Sequence, residues 1–185
     1  MIKAVIFDWG GVVAPLENGG WVGSYAELLN VGFDEALAIW RQAYGNLNTG
    51  KTTEAEFWQK TEELIGKSLP DTKSSIWLKG LALQPYTEVI ALRDRLQSAG
   101  IITALLSNTI EPAHHYFIEQ HLYDGFNPVV LSHEVGVAKP NEAIYELMLG
   151  DLGCKASECL FIDDMEQNLT PAALLGMKVH HFVNS

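Results

Sequence analysis

An aspartate and two glycines follow the first apolar run of the sequence. Asp8 comes directly after Ile2–Phe7, and Gly10 and Gly11 stand just beyond it. Glycine lets a chain turn sharply and lets backbone N–H groups approach an anion closely, so a carboxylate beside such a turn could act on a bound anion. The alternative is an aspartate that only caps a turn, which is common for this residue type.

Two adjacent aspartates, Asp163 and Asp164, follow another apolar run, Cys159–Ile162. Neighbouring carboxylates repel each other, and burial at a strand end makes that repulsion costly. A divalent cation would remove the cost, because Mg²⁺ binds hard oxygen ligands, usually one or two carboxylates with water and substrate phosphate. The alternative is a solvated pair that caps a helix starting near Glu166.

Cationic and hydrogen-bonding side chains follow two further apolar runs. Ser107 and Asn108 end the run LLSN, and their hydroxyl and amide groups can donate to a phosphoryl oxygen. Lys139 lies in the loop GVAKP, where it can place a point charge against a phosphate and against Asp8. Pro140 fixes the backbone beyond it and is expected to open the next helix. Taken singly, these residues also fit an ordinary turn and a surface lysine.

The apolar runs alternate with helical patterns, which predicts a parallel sheet with right-handed crossovers and both faces covered. The predicted strands are Ile2–Phe7, Ile101–Leu106, Pro128–Leu131, Cys159–Ile162 and Lys178–Val183. The helices predicted between the later strands are Glu88–Ala99, Glu111–His121, Asn141–Leu149 and Glu166–Leu175. Each polar cluster therefore falls at the carboxyl end of a different strand, where ligands of such sheets bind. A nucleophile, a metal site, a cation and hydrogen-bond donors together meet the needs of phosphoryl transfer.

The stretch between the first two strands is too long for one crossover. Helical spacing recurs within it, in Ser24–Asn30, Asp34–Tyr44, Thr53–Ile65 and Thr72–Lys79. Long loops without structure are uncommon, so the stretch from Pro15 to Pro85 is predicted to be a helical insertion. Thr53 and Glu56 have the spacing of a capping box at a helix start.

Composition sets the class of protein and of partner. The chain has 185 residues, of which 48% are hydrophobic and 19% charged, as in a globular protein. The formal net charge of −11 disfavours nucleic acid and anionic membranes as partners. No apolar stretch has the length of a signal or membrane segment, so a soluble, cytoplasmic protein is expected. The spacing of Cys154 and Cys159 fits no zinc pattern, and both are expected to be reduced.

In its four motifs the chain resembles the haloacid dehalogenase superfamily. Asp8 in FDWGG resembles the family's first motif, Ser107 in LLSN its second, Lys139 in AKP its third, and Asp163–Asp164 in FIDD its fourth. Asn168 matches a residue frequent in the branch with FIDD. The resemblance covers nearly the whole chain, and the set of motifs in this order is specific.

The resemblance implies a fold and a division into domains. It implies an α/β, Rossmann-like parallel sheet of order 5-4-1-2-3, with a small helical cap inserted after the first strand. The core would comprise residues 1–14 and 86–185, and the cap residues 15–85. The segment Thr49–Trp58 is similar to the cap helix of a branch with sugar-phosphate phosphatases and the amino-terminal phosphatase domain of epoxide hydrolases.

The resemblance also implies a Mg²⁺-dependent hydrolase that removes phosphate from a small phosphorylated metabolite, a sugar phosphate above all, through an aspartyl-phosphate intermediate. Asp8 and Lys139 would be catalytic. The implied substrate contacts are Ser107, Asn108, Lys139, Trp9 and Gly10. The implied metal ligands are Asp8, the Gly10 carbonyl, Asp164 and Asp163.

One position departs from the family pattern. Most phosphatases of the family have a second aspartate two positions after the nucleophile as general acid and base, and here Gly10 occupies that position. Losing such a group typically costs about 10²–10⁴-fold in rate. Two alternatives follow: a non-catalytic or weakly active binding or regulatory protein, and a dehalogenase or a phosphonatase, the last with Lys51 as a Schiff-base lysine. The sequence leaves the physiological substrate and the oligomeric state open.

Overall fold

A five-stranded parallel sheet forms the centre of the computed structural model, which describes residues 1–16, 20–79 and 84–183. Its strands are β1 (Ala4–Phe7), β2 (Ile102–Ser107), β3 (Val129–Leu131), β4 (Cys159–Asp163) and β5 (Lys178–His181). Their order is β3-β2-β1-β4-β5, which is the predicted order 5-4-1-2-3 viewed from the other edge. The predicted Rossmann-like α/β fold is confirmed.

Helices cover both faces of this sheet. Those after residue 86 are α5 (Thr87–Ser98), α6 (Glu111–Glu119), α7 (Ser132–Val135), α8 (Glu142–Leu152) and α9 (Glu166–Leu174), with a 3₁₀ turn at Ala156–Glu158. Side chains of β1 alternate between two apolar clusters, as a strand with a two-residue period requires. Val5 and Phe7 pack on the face covered by α5 and α6, whereas Ala4 and Ile6 pack on the face covered by α8 and α9.

The prediction that every strand is buried was wrong for β5. All four of its residues are exposed, including Val179 at 38%. β5 pairs only with β4 and forms one edge of the sheet. Its sequence KVHH is largely polar, which suits an edge strand that need not bury either face.

Helices fill the described part of the chain between β1 and β2. They are α1 (Gly20–Leu29), α2 (Phe33–Ala43), α3 (Glu54–Ile65) and α4 (Ile76–Lys79), with 3₁₀ turns at Leu47–Thr49 and Asp71–Ser75. The capping box of Thr53 and Glu56 is present at the start of α3. The predicted helix Thr72–Lys79 is a 3₁₀ turn followed by one α-helical turn. Residues 17–19 and 80–83 of the predicted insertion, and 184–185 of the predicted core, lie outside the described residues, and the domain boundaries stay a prediction.

An aromatic cluster holds these four helices together. Its rings, which are in mutual contact, belong to Trp21, Tyr25, Trp40, Tyr44, Phe57, Trp58 and Trp77. Glu54 Oε1 accepts hydrogen bonds from the indole N–H groups of Trp58 (2.8 Å) and Trp77 (2.7 Å). Buried indoles need such partners. No helix among the described residues is long and apolar enough to cross a membrane.

Candidate functional site

The register of the sheet brings the four predicted polar clusters to one edge. Phe7 pairs with Leu105 of β2 and with Ile162 of β4, so Asp8 follows β1 at the level where Asp163 ends β4. Ser107, the last residue of β2, pairs with Leu131 of β3. Parallel strands present their carboxyl ends at the same edge, which is why residues more than 150 positions apart in the chain meet there.

Asp8 is buried and held by two donors. Its Oδ1 accepts a hydrogen bond from the Trp9 backbone N–H at 2.7 Å and lies 2.8 Å from the Lys139 ammonium nitrogen. Among the described residues, Oδ2 accepts no hydrogen bond. One carboxylate oxygen is therefore fixed in place, while the other remains available to a metal ion or to an electrophile.

Lys139 bridges two carboxylates in a nearly solvent-free setting. Its Nζ lies 2.6 Å from Asp163 Oδ2, and its side chain is only 1% exposed. Asp163 also accepts hydrogen bonds from the Met165 N–H at 2.8 Å and from the Asn168 amide at 3.0 and 3.1 Å. These bonds occupy both oxygens of Asp163, so this residue positions Lys139 in the structure.

Asn108 fixes the loop that carries Lys139. Its amide nitrogen donates to the Lys139 carbonyl at 2.9 Å, and its amide oxygen accepts from the Lys139 N–H at 2.8 Å. At most one Asn108 N–H is then left for a phosphoryl oxygen.

Pro140 does not open the next helix as predicted. Helix α8 begins at Glu142, and the Asn141 side chain caps it by accepting a hydrogen bond from the Ala143 N–H at 3.0 Å.

Asp164 lies against a glycine whose importance the sequence reasoning missed. Gly11 has a φ of +79°, and a Cβ built there would lie 2.4 Å from Asp164 Oδ2. A side chain at residue 11 would therefore displace the Asp164 carboxylate, and the backbone conformation itself favours glycine. The sequence signal was the second glycine of the GG pair. Ser132, also missed, has no such signal: its hydroxyl is buried and binds the Thr109 backbone N–H at 3.0 Å.

Burial and charge set the electrostatics of the cluster. Burial raises the pKa of Asp8 to about 7, with Asp163 adding to the shift and the Lys139 ammonium opposing it. Burial alone would lower the pKa of Lys139, but the carboxylates of Asp8 and Asp163 raise it on balance. Burial and the neighbouring Asp163 raise the pKa of Asp164. One buried ammonium thus faces three carboxyl groups, so an additional cation would be electrostatically favourable in this cluster.

The chemistry of these donors fits a divalent cation. Asp8, Asp163 and Asp164 each offer an oxygen, and these oxygens lie within 4.8 Å of one another. Mg²⁺ binds hard carboxylate oxygens, and burial raises the pKa of two of these groups, Asp8 and Asp164, which a bound cation would counteract. Gly10, two positions after Asp8, is half-buried, and its backbone carbonyl is an oxygen of the same ligand type.

A cavity of about 600 Å³ adjoins this cluster. Its walls near the sheet include Trp9, Gly10, Ser107, Asn108 and Thr109, and its far walls come from the helical segment between β1 and β2. The cavity thus touches all the predicted substrate contacts except Lys139. A second cavity, of about 390 Å³, is formed by α3 and the Asp71–Ser75 turn and contains none of the predicted site residues.

Three aromatic residues of the helical segment reach the larger cavity. They are Trp21, Trp40 and Tyr44, whereas Tyr25 and Trp58 do not line it and pack within the aromatic cluster.

Comparison with known proteins places the chain in a family. Residues 2–176 match the family model of haloacid dehalogenase-like hydrolases. The chain belongs to this family. It is therefore a haloacid dehalogenase-like hydrolase, which confirms the family and the enzyme class that the four motifs indicated.

Cys154 and Cys159 are free, as expected of this chain.

Phosphatases of the family resemble the chain over nearly its full length. A sesquiterpene phosphatase of Aspergillus oryzae is 26% identical over 187 residues, which cover 99% of this chain and 91% of the relative. A D-ribitol-5-phosphate phosphatase of Bacteroides thetaiotaomicron is 27% identical, covering 96% and 90%. A family enzyme of the same bacterium, crystallised with magnesium and inorganic phosphate, superposes with a TM-score of 0.81 at 26% identity, covering 97% and 93%. Haloacid dehalogenases are also among the relatives.

Proposed function

We propose that this haloacid dehalogenase-like hydrolase is a Mg²⁺-dependent phosphatase of small phosphate monoesters. The observation that carries the proposal is the buried triad of Asp8, Lys139 and Asp163, joined by contacts of 2.8 and 2.6 Å beside Asp164 and the cavity. The phosphatase relatives support the same activity. Asp8 is the nucleophile because one of its carboxylate oxygens is fixed, the other accepts no hydrogen bond from the described residues, and its neighbours Trp9 and Gly10 line the cavity.

The reaction has two steps. Asp8 attacks the phosphorus atom, its new O–P bond replaces the ester O–P bond, and the alcohol leaves with a proton from solvent. Water then cleaves the aspartyl phosphate and releases inorganic phosphate. Lys139 places its charge on the nucleophile and on a phosphoryl oxygen, while Ser107 donates a hydrogen bond. Asp163 keeps Lys139 in position.

Asp8, Asp164 and the Gly10 carbonyl are the residues that would hold Mg²⁺. When bound there, the ion would supply positive charge to stabilise the phosphoryl oxygens. Asp163 has both oxygens engaged by Lys139, Asn168 and the Met165 N–H, so it serves the metal site less directly than the sequence suggested.

Asp164→Asn is expected to abolish Mg²⁺ binding while leaving the protein folded. The substitution removes one ligand charge from a half-buried carboxylate and keeps its shape against Gly11. Without Mg²⁺, the variant should be at least as stable as the wild type, because two adjacent acids no longer repel. Calorimetric titration with Mg²⁺ and thermal unfolding measure the two effects, and Glu166→Gln on the exposed start of α9 is the matched control. Unchanged Mg²⁺ affinity would contradict the assignment.

Asp8→Asn is expected to lose the thermal stabilisation that beryllium fluoride and Mg²⁺ give the wild type. Beryllium fluoride on a carboxylate stands in for the phosphoryl group of the aspartyl phosphate, and an amide cannot accept it. The comparison separates the two main alternatives. A binding protein would show the stabilisation without phosphate release from any ester. A dehalogenase would show neither effect and would need no metal.

Lys51 is exposed and lines no described cavity near Asp8, which gives the phosphonatase alternative no support.

The cavity favours an apolar group on the phosphate ester. Beyond the polar residues at the end of β2, its lining consists mainly of Trp9, Leu16, Trp21, Val22, Trp40, Phe117 and Met165. Its other polar groups are those of Tyr44, Asn48 and Gln167. A sugar needs many hydrogen-bond partners, so the expected sugar phosphate fits this lining less well than an aryl or isoprenoid phosphate does. We propose that residues 15–85 act as the cap, which supplies Leu16, Trp21, Val22 and Trp40 to this apolar lining.

Met165→Gln is expected to raise KM for an apolar ester such as a prenyl phosphate roughly tenfold and to leave KM for a sugar phosphate nearly unchanged. Met165 lines the cavity and is 48% exposed, so the fold should tolerate glutamine. Leu174→Gln, at the end of α9 and 83% exposed outside the cavity, is the control. Steady-state kinetics on both esters measures these KM values. A wild-type enzyme that prefers the sugar phosphate would contradict the proposal that the substrate carries an apolar group.

A further inference from the structure

A second group of potential metal ligands lies away from the aspartates. His114 belongs to α6, and His133 and Glu134 belong to α7. Each offers one ligand atom, and these atoms lie within 4.8 Å of one another. The two imidazole rings are tilted, with centroids 4.9 Å apart.

The distances fit metal coordination better than hydrogen bonding. His114 Nε2 lies 3.4 Å from Glu134 Oε1, beyond the usual range of about 2.7–3.2 Å for an N–H···O bond. Two ligands bound tetrahedrally at about 2.0–2.2 Å from one ion lie about 3.3–3.6 Å apart. The pair therefore already has the separation that a shared ion requires.

The imidazole nitrogens also lack other partners. The Nδ1 atoms of both His114 and His133 are buried and form no hydrogen bond with any described residue. Buried polar atoms are nearly always satisfied, and an ion bound through the Nδ1 of His133 would give that atom the partner it lacks.

We propose that His114, His133 and Glu134 form a second metal site, for a divalent transition ion of the Zn²⁺ type. Two imidazoles and one carboxylate suit such an ion, whereas Mg²⁺ prefers an all-oxygen set such as the aspartate cluster. Glu134 is exposed, so the site has an entry path and room for water as a fourth ligand.

The site would tie α6 to α7, and α7 in turn packs against the helical segment between β1 and β2. α7 packs on the 3₁₀ turn Leu47–Thr49, and a Cβ on the adjacent Gly50 would lie 2.5 Å from the His133 carbonyl oxygen. Asn48 of that turn lines the large cavity. An ion that fixes α7 against α6 therefore also fixes one wall of the cavity.

The test is a titration of the whole protein with Zn²⁺ in excess Mg²⁺, which occupies the aspartate cluster. One Zn²⁺ should bind per chain, and Co²⁺ at the same site should give the intense visible absorption of a tetrahedral ion. His133→Gln and Glu134→Gln should each weaken Zn²⁺ binding by more than the 10–100-fold that loss of an outer-shell partner typically costs. Glu134 is exposed, so its substitution is safe for the fold.

His115→Gln, the exposed neighbour on α6, and His181→Gln, close to Asp164, are the controls and should bind Zn²⁺ as the wild type does. Zn²⁺ should also raise the melting temperature of the wild type but not of His133→Gln, because an ion bound only to the folded state stabilises it. Equal Zn²⁺ affinity in the wild type, His133→Gln and Glu134→Gln would overturn the proposal. So would a loss of binding in His181→Gln alone.

Discussion

Lys139→Met is expected to abolish phosphate release and to lower the free energy of unfolding by about 3–5 kcal/mol at neutral pH. Methionine fills nearly the same volume but leaves Asp8 and Asp163 without the ammonium that lies 2.8 and 2.6 Å from them. The Asp163 side chain is fully buried and that of Asp8 nearly so, and an unpaired charge in that position is strongly destabilising. Denaturant unfolding and kcat/KM on an aryl phosphate measure the two effects.

The pH dependence of this loss has a definite sign. Without Lys139, the pKa of Asp8, which burial already raises to about 7, rises further above that of an unfolded aspartate, about 4. A carboxyl group whose pKa is higher in the folded than in the unfolded protein stabilises the folded state at pH values below its unfolded pKa. That contribution is lost as the pH rises through the folded pKa. The deficit of Lys139→Met should therefore be smallest at acid pH and grow as the pH rises through about 7, because Asp8 then ionises in the wild type but stays protonated in the variant. A constant deficit across this range would show that lost packing, not charge, causes it.

The double variant Lys139→Met/Asp163→Asn separates stability from catalysis. It removes the unpaired charge at Asp163, which should restore part of the stability, while turnover should stay absent because the Lys139 ammonium no longer lies beside Asp8 and the phosphoryl oxygens. Asp163→Asn alone keeps Lys139 paired with Asp8 and should retain a fraction of the activity. Turnover in either variant that lacks Lys139 would remove this residue from the catalytic machinery.

The sequence could predict which polar residues meet at the strand ends, because parallel strands must present their carboxyl ends at the same edge of the sheet. Once Ile2–Phe7 and Cys159–Ile162 are read as buried parallel strands, Asp8 and Asp163 must meet at one edge, and the register confirms it. The capping box at Thr53 was predictable for the same reason, since its hydrogen bonds are local.

The hydrogen-bond partners of several side chains in the site could not be predicted from the sequence. Nothing in LLSN shows that the Asn108 amide binds the Lys139 backbone, because a partner 31 residues away is set by tertiary packing. The same holds for Ser132, which a pattern cannot distinguish from a surface serine. β5 was misread because KVHH has a β-forming composition whether or not a helix covers it. Pro140 was placed at a helix start, but Asn141 intervenes as the cap.

Gly10→Asp is expected to accelerate the hydrolysis of alkyl phosphates by about 10²-fold or more while changing aryl phosphates little. Aryl oxides leave as weak bases and need little protonation, whereas alkoxides need an acid. Among its described residues, the cavity lining contains no carboxylic acid, histidine or lysine, and burial raises the pKa of Tyr44, its only other ionisable group. The wild type should therefore favour esters with good leaving groups.

The structure leaves room for this aspartate. Gly10, unlike Gly11, does not have a positive φ, and a Cβ there would meet only the flexible end of Leu16, at 3.1 Å from Cδ2. Leu16 is 52% exposed and can move aside. Gly11→Asp is the contrasting variant, because its Cβ would lie 2.4 Å from Asp164 Oδ2 at a φ of +79°. It should lose Mg²⁺ binding and activity together.

The decisive measurement is kcat/KM across esters of graded leaving-group pKa, in the wild type, Gly10→Asp and Gly10→Asn. Asparagine has the size of aspartate but cannot donate a proton as an acid, so only Gly10→Asp should flatten the dependence on the leaving group. If both substitutions raise the rate equally, the gain comes from contacts with Leu16 and the cavity wall. If the wild type already hydrolyses alkyl esters as fast as aryl esters, another group supplies the proton, and the missing acid at residue 10 does not limit this enzyme.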